Sequence, residues 1–321
     1  MLKEIIEEYK NGIISSKEYC GKIFLIHEIL LEYPELLKNS LVKNINITKD
    51  GVIVEIESND NNIKMKVHSL DSCAVPVTIM NIGEYEKNEL DISLNILKMI
   101  GDTSVIFDVG ANLGWYTLNM AKTIKNSKIY SFEPIQDTFE KLKTNLLLNN
   151  ISDKNIYNFG FYSENKVLEF FYDIFASGAS SIQNLRELDT TKIVKCNVKK
   201  LDDFVTENGI DNLDFIKCDV EGSELFVYKG GIESIKKFKP VIFSEMLRKW
   251  SAKFGYHPNE IIDLFGDIGY KCFVISNRGL KEFKRVDEET IETNYFFLHP
   301  DKHRDIINNM SNKSGLSNKE N

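Results

Sequence analysis

No C-x-x-C pair occurs among the five cysteines, Cys20, Cys73, Cys196, Cys218 and Cys272. An odd number of widely spaced thiols supports neither a disulfide framework nor a zinc ribbon, and it reads as small apolar residues in a reducing compartment. No apolar run approaches the roughly 20 residues needed to span a bilayer. The most apolar early stretch, Ile23 to Leu31, is broken by His27 and Glu28. The opening Met1 to Glu8 alternates charged with apolar residues and lacks the core of a secretory signal. Positive charge is not in excess either. Forty Lys and Arg against 48 Asp and Glu leave a net charge of −8, which disfavours a partner built on a phosphate backbone. There is no internal repeat. The expectation is a cytoplasmic protein with neither a nucleic-acid nor a membrane partner.

Apolar residues make up 42% and charged residues 27% of 321 positions, an ordinary globular balance with enough material for a sizeable core and about two domains. Residues 1–40 carry helical stripes: Leu2, Ile5, Ile6, Tyr9 and Ile13, then Tyr19, Ile23, Ile26 and Leu30. Ser15-Ser16 is placed to cap the second helix, and Pro34 to end it. These stripes are expected to be core. Ile45 and Ile47, then Val52, Val54 and Ile56, then Ile63, Met65 and Val67 alternate with polar residues around Asp50-Gly51 and Ser58 to Asn62, which reads as a three-strand meander. Residues 1–84 are thus expected to form an accessory region, a cover or an oligomerisation element.

From about residue 85 strands and helices alternate, with strands at 105–109, 128–132, 156–161, 213–219 and 240–245 and helices at 86–100, 114–125, 136–149, 201–208, 223–236 and 258–267. Val105-Ile106-Phe107 and Val241-Ile242-Phe243 are continuously apolar, as strands buried on both faces are. The pattern predicts an α/β fold with a mostly parallel sheet over 85–300. Two further strands, 270–276 and 293–299, lack an intervening helix and are expected to pair antiparallel at an edge. An insertion with strands 168–172 and 193–198 contains the small-residue stretch 176–181, either a substrate-facing segment or a surface loop. The polar tail 301–321 is expected to be flexible.

The sharpest motif is Val105-Ile106-Phe107-Asp108-Val109-Gly110-Ala111-Asn112-Leu113-Gly114, an apolar strand entering a glycine turn before a helix. Nineteen residues past Gly114, Glu133 closes the next strand, where a carboxylate can take both hydroxyls of a ribose. G-x-G-x-x-G, the dinucleotide pattern, is absent. Asp108 instead puts a negative charge in the turn, which opposes a pyrophosphate and suits a cation. S-adenosyl-L-methionine, with a sulfonium and an ammonium and no phosphate, fits better than NAD. A second constellation is Lys217-Cys218-Asp219-Val220-Glu221-Gly222-Ser223-Glu224. Asp219 and Glu221 are expected in the cleft at the strand ends, beside Glu245, which closes a neighbouring strand, whereas Glu224 reads as a helix cap.

The run Phe107 to Tyr116 resembles the first motif of the FkbM family of S-adenosylmethionine-dependent methyltransferases. Phe132-Glu133-Pro134, Leu201-Asp202-Asp203-Phe204 and Lys217-x-Asp219-x-Glu221-Gly222-x-Glu224 resemble its later motifs, in the same order, over roughly 85–299. The resemblance implies a class I methyltransferase sheet, Rossmann-like and seven-stranded, with its last strand antiparallel. It implies that Asp108, Gly110, Asn112 and Gly114 shape the methionine end with Asp219, that Glu133 binds the ribose, and that Gly160 and Phe161 flank the adenine. Trp115 or Tyr116 could stack on the sulfonium, although core packing is the plainer role. The family's acceptors are hydroxyls, sometimes nitrogens, of polyketides, sugars and glycan-linked groups, so a surface or flagellar glycan or a small metabolite is expected. Glu221 or Asp219 is the expected base, with Glu245 and His257 in reserve. No metal is expected, since Asp219 and Glu245 lack an evident third ligand. An NAD-dependent oxidoreductase and a non-catalytic nucleoside-binding protein are the alternatives. A homodimer is a further expectation.

Overall fold

A computed structural model describes residues 1–187, 191–276 and 279–311. The chain opens with a helical hairpin, α1 (Leu2–Lys10) and α2 (Ser16–Leu37), in which Tyr9 stacks on Tyr19 at 4.3 Å and Lys22 pairs with Glu8 at 2.7 Å. Ser15 starts α2 as expected, through a capping box in which its hydroxyl accepts from the Glu18 amide and Glu18 accepts from the Ser15 amide. Pro34 does not end the helix. It lies in the last turn, where only one backbone bond is forgone, and α2 runs through it to Leu37. Neither helix buries a side chain, so their aliphatic stripes are not part of this chain's core.

The meander β1 (Val42–Thr48), β2 (Gly51–Ser58), β3 (Asn61–Val67) is antiparallel in that order. Its Val54, Ile56, Ile63 and Met65 are fully buried in the same cluster as one face of the main sheet. The open edge of β3 is satisfied by helix side chains: the Lys66 and Lys64 amides donate to Asn145 and Asn149, each at 2.9 Å.

Helices α3 (Val75–Ile82) and α4 (Lys87–Ile100) lead into β4 (Val105–Val109), α5 (Trp115–Thr123), β5 (Lys128–Phe132), α6 (Gln136–Leu148) and β6 (Ile156–Tyr157). A small sheet of order β7-β9-β8 follows, from β7 (Gly160–Phe161), β8 (Lys166–Tyr172) and β9 (Lys192–Lys199). Then come α7 (Leu201–Glu207), β10 (Phe215–Cys218), α8 (Glu224–Gly230), α9 (Ile232–Phe238), β11 (Val241–Glu245), α10 (Arg248–Lys253), α11 (Asn259–Gly266), β12 (Lys271–Ser276), β13 (Gly279–Phe283), β14 (Asn294–Leu298) and α12 (Arg304–Ser311).

The main sheet has the order β13-β12-β14-β11-β10-β4-β5-β6, parallel from β6 to β11. Seven strands were expected. The eighth, β13, forms a hairpin on β12, and β14 sits antiparallel between β11 and β12 rather than at the edge. Successive residues along the central strands face opposite cores: Ile106, Phe215 and Phe243 pack on one side, Phe107, Ile216 and Ile242 on the other. That is why these strands read as unbroken apolar runs.

Three expected elements differ. The strand at 156–161 divides between two sheets, because Asn158 turns the chain and donates to the Glu133 and Pro134 carbonyls. The helix at 223–236 breaks at Gly230-Gly231; a Cβ on Gly230 would overlap the Tyr162 carbonyl. Part of the tail is ordered as α12, which buries Ile306 and Met310, while residues 312–321 lie outside the described ones. Among the described residues no helix is long and apolar enough to cross a membrane.

Candidate active site

A cleft of about 270 Å³ opens at the carboxyl ends of β4, β5, β10 and β11, where the chain leaves β4 to build the sheet in two directions. Its floor is the turn after β4. Gly110 has φ +76°, and a Cβ there would overlap the Asp219 carbonyl oxygen, so the β4 and β10 turns touch only because position 110 has no side chain. The Gly110 and Ala111 amides both donate to the Phe132 carbonyl at 3.0 Å. Asn112, left-handed at φ +48°, donates its amide to Glu133 Oε2 at 3.0 Å. Glu133 Oε1 accepts from the Ile135 amide at 2.9 Å, and burial lifts this carboxyl to about 7 against those two bonds. Beyond Glu133 the wall is Pro134, Ile135, Gly160 and Phe161.

Asp108 lies under the turn rather than in the cleft wall. It is fully buried, with Oδ2 accepting from the Thr117 hydroxyl at 2.6 Å and Lys217 Nζ 3.9 Å from Oδ1. Its charge is therefore directed at Lys217, and the expected electrostatic choice of ligand at the turn does not come from Asp108. Gly114 likewise lies behind the cleft, packed against Leu142.

The opposite end is acidic. Carboxylate oxygens of Asp219, Glu221 and Glu245 lie within 4.8 Å of one another. Glu221 thus brings a third oxygen to the pair that the sequence placed on neighbouring strands. Lys217 bridges this group to the turn, donating to Asp219 Oδ2 at 3.1 Å and to the Gly110 carbonyl at 3.2 Å. Burial and the neighbouring Asp219 push Glu221 and Glu245 well above the usual carboxylate range. Burial alone would lower Lys217, but Asp219 and Asp108 hold it well above an ordinary lysine.

Sequence reasoning missed Glu86 as a site residue and gave Lys217 no role. Glu86 lines the cleft from the start of α4, left-handed at φ +43°, and accepts from the Tyr116 hydroxyl at 2.9 Å. Burial and Asp219 raise its carboxyl. Lys217 also sits 5.2 Å from the centre of the Tyr116 ring, so the cation on that aromatic is the protein's own. A lysine inside an apolar strand was the available signal, since a buried lysine needs a charged partner.

Residues 176–180 of the small-residue stretch line the cleft. Ser181 Oγ donates to the Glu221 carbonyl at 2.7 Å, Ser177 Oγ lies 3.5 Å from Asn112 Oδ1, and the Ser177 amide reaches Asp71 Oδ1 at 3.4 Å. Glu224 caps its own turn, accepting from the Val220 and Gly222 amides, as expected. His257 is exposed at the start of α11, accepts from the Asn259 amide and does not line the cleft.

Residues 108–272, just over half of the chain, match the family described as the Methyltransferase FkbM domain. "Methyltransferase 1" of Beauveria bassiana (strain ARSEF 2860) is 30% identical over 122 residues, 33% of this chain and 49% of that protein. The chain thus spans about half the length of the relative it matches. Among solved structures, methyltransferase FkbM from Methylobacillus flagellatus KT is similar over 61% of this chain and 44% of its own, at 18% identity and a TM-score of 0.39. A SAM dependent methyltransferase from Agrobacterium tumefaciens is similar over 77% and 70%, at 10% identity and a TM-score of 0.41.

Proposed function

The chain belongs to the FkbM family of S-adenosylmethionine-dependent methyltransferases, and from that premise we propose that its cleft passes a methyl group to a hydroxyl of a sugar, glycan-linked group or secondary metabolite. The observation that carries this reading is the cleft's polarity: a buried ribose-height carboxylate, Glu133, at one end and three converging acids at the other. The residues fit the cofactor, since the Gly110 turn has no room for a Cβ and Glu133 keeps lone pairs beyond its two amide bonds. When bound, S-adenosylmethionine supplies a methyl group activated by positive sulfur. Glu133 holds the ribose, Pro134, Ile135, Gly160 and Phe161 enclose the base, and Asp219 and the Gly110 turn orient the methionine end. Glu221 or Glu245, once ionised, takes the acceptor's proton. Holding the acceptor in line supplies most of the remaining acceleration, on the order of several kcal/mol.

An amine acceptor would use the same arrangement. We infer a cytoplasmic enzyme acting in glycan modification, with residues 1–84 as an accessory element and no nucleic acid or membrane as partner. Carboxylate bases at hand make a metal unnecessary, and activity in the presence of EDTA is the expected outcome; loss restored by Mg²⁺ would show that the three acids hold a cation. The central test is Glu221→Gln in an acceptor screen. Turnover is expected to fall about 10²–10⁴-fold with cofactor affinity nearly kept. His257→Asn, outside the cleft, should match the wild type. Wild-type turnover by Glu221→Gln removes Glu221 from the mechanism.

A further inference from the structure

Helix α2 has 22 residues and buries none of them. Tyr19, Ile23, Ile26 and Tyr33 are half-buried against the rest of the chain, whereas Phe24, Leu25, Ile29, Leu31 and Leu36 are each more than half exposed. Phe24 and Leu31 are seven apart, and Leu25, Ile29 and Leu36 follow a four- and seven-residue spacing, so two apolar stripes flank the outer face. Apolar side chains exposed beside the charged face of a helix are unusual, and a hairpin with nothing buried does not hold its shape by propensity alone.

We propose that this hairpin is covered by the same hairpin of a second copy, the two α2 helices pairing antiparallel about a two-fold axis. Two observations choose this occupant. The first is area. The five side chains with three further exposed apolar residues of the hairpin, each offering on the order of 100 Å², amount to roughly 800 Å² per protomer, the share each partner gives to a standard interface. The second is charge. Lys17, Glu18 and Lys22 lie in the first third of α2, a net single positive charge with Lys22 paired to Glu8, and Glu28, Glu32 and Glu35 lie in its second half. Parallel helices would set the three acids against their own copies, whereas antiparallel ones bring the acidic half beside the basic end. A membrane surface is a poor fit, because residues 1–37 hold seven glutamates against four lysines and helices lying on membranes are rich in cations. The interface bears on the cleft, since α2 packs against α3, whose first residue, Val75, lines it.

Light scattering on the full chain eluting from a sizing column is expected to give twice the 37.0 kDa chain mass at micromolar concentration. Phe24→Glu with Leu31→Glu should give the single-chain mass, with cofactor affinity kept within about two-fold. Cys20 is exposed on the same helix and reports direction. Antiparallel pairing about the middle of α2 sets the two Cys20 residues on the order of 20 Å apart, beyond disulfide reach, so mild oxidation should leave them unlinked. A monomeric wild type overturns the proposal even if the double variant fails to fold. A dimer that survives both substitutions overturns it too, as does a Cys20–Cys20 disulfide or sedimentation of the monomer with anionic vesicles.

Discussion

Binding of the cationic cofactor is expected to expel protons, and the direction follows from the acid geometry. Oxygens of Asp219, Glu221 and Glu245 lie within 4.8 Å of one another. Two unit charges at that distance repel by about 3 kcal/mol at an effective dielectric constant near 20, so each ionised acid opposes ionisation of the next. Burial acts in the same direction on Glu221 and Glu245, while Lys217 sits on Asp219. Burial and Asp219 therefore favour the protonated forms of Glu221 and Glu245 in the free protein. Glu133, lifted by burial to about 7, is half-protonated there. A bound cation favours ionisation of the first pair, and ribose hydroxyls donating to Glu133 favour its ionised form. Protons should therefore leave on cofactor binding at pH 7, with Glu133 contributing up to about half of one. Calorimetric titration with S-adenosylmethionine in buffers of different ionisation enthalpy gives the number released as a slope. Affinity should rise from pH 6 to pH 8, and the proton count should fall in Glu221→Gln and in Glu133→Gln. Stability of the free protein has the opposite sign. A carboxyl whose folded pKa exceeds its unfolded value near 4.3 binds more protons folded than unfolded between the two, so stability declines as pH rises toward about 7. A slope of zero, or proton uptake, would refute the reasoning.

Lys217→Met should cost about 3–5 kcal/mol, because it leaves the fully buried Asp108 with Thr117 as its hydrogen-bond partner, and should lower the melting temperature by about 10 °C. Burial already raises Asp108, and losing the lysine raises it further, so the deficit should be smaller at pH 5 than at pH 8; an equal deficit in thermal melts at both would count against an Asp108–Lys217 pair. Gly110→Ala puts a Cβ onto the Asp219 carbonyl in a left-handed turn, and the forced separation of the β4 and β10 turns should abolish measurable cofactor binding while the far-ultraviolet dichroism stays native; wild-type affinity would show that the two turns need not touch.

Much of the sheet was legible because burial on both faces leaves an unbroken apolar signature. Val105-Ile106-Phe107 and Val241-Ile242-Phe243 show it, and both are central strands. The glycine turn and Glu133 were legible because the spacing between them is set by one helix and one strand. The partnership of Asp108 with Lys217 was not. The two face each other only because β10 pairs beside β4 with these residues in register, 109 positions apart in sequence. The same limit hid Glu86, which reaches the cleft from the start of a helix outside the motifs. Periodicity found the stripes of α1 and α2, but a stripe does not say which molecule covers it. In α12 the apolar pair Ile306 and Met310 was too sparse to stand out from a polar tail.

Backbone strain was another signal a sequence does not carry: three of the nine described non-glycine residues with positive φ line the cleft. Glu86, Asn112 and Glu221 all adopt left-handed conformations, and all three line it. Asparagine tolerates that region; glutamate does not favour it, and each such residue costs on the order of 1–2 kcal/mol. Glu86 and Glu221 also belong to the group of half-buried acids whose ionisation Asp219 opposes. Strain at these side chains, and the repulsion that opposes their ionisation, bring no gain in packing, and a cation among these acids offsets that repulsion. Ligand of that charge should therefore stabilise the chain more at pH 8 than at pH 6, and the difference should shrink when Glu221 is made neutral.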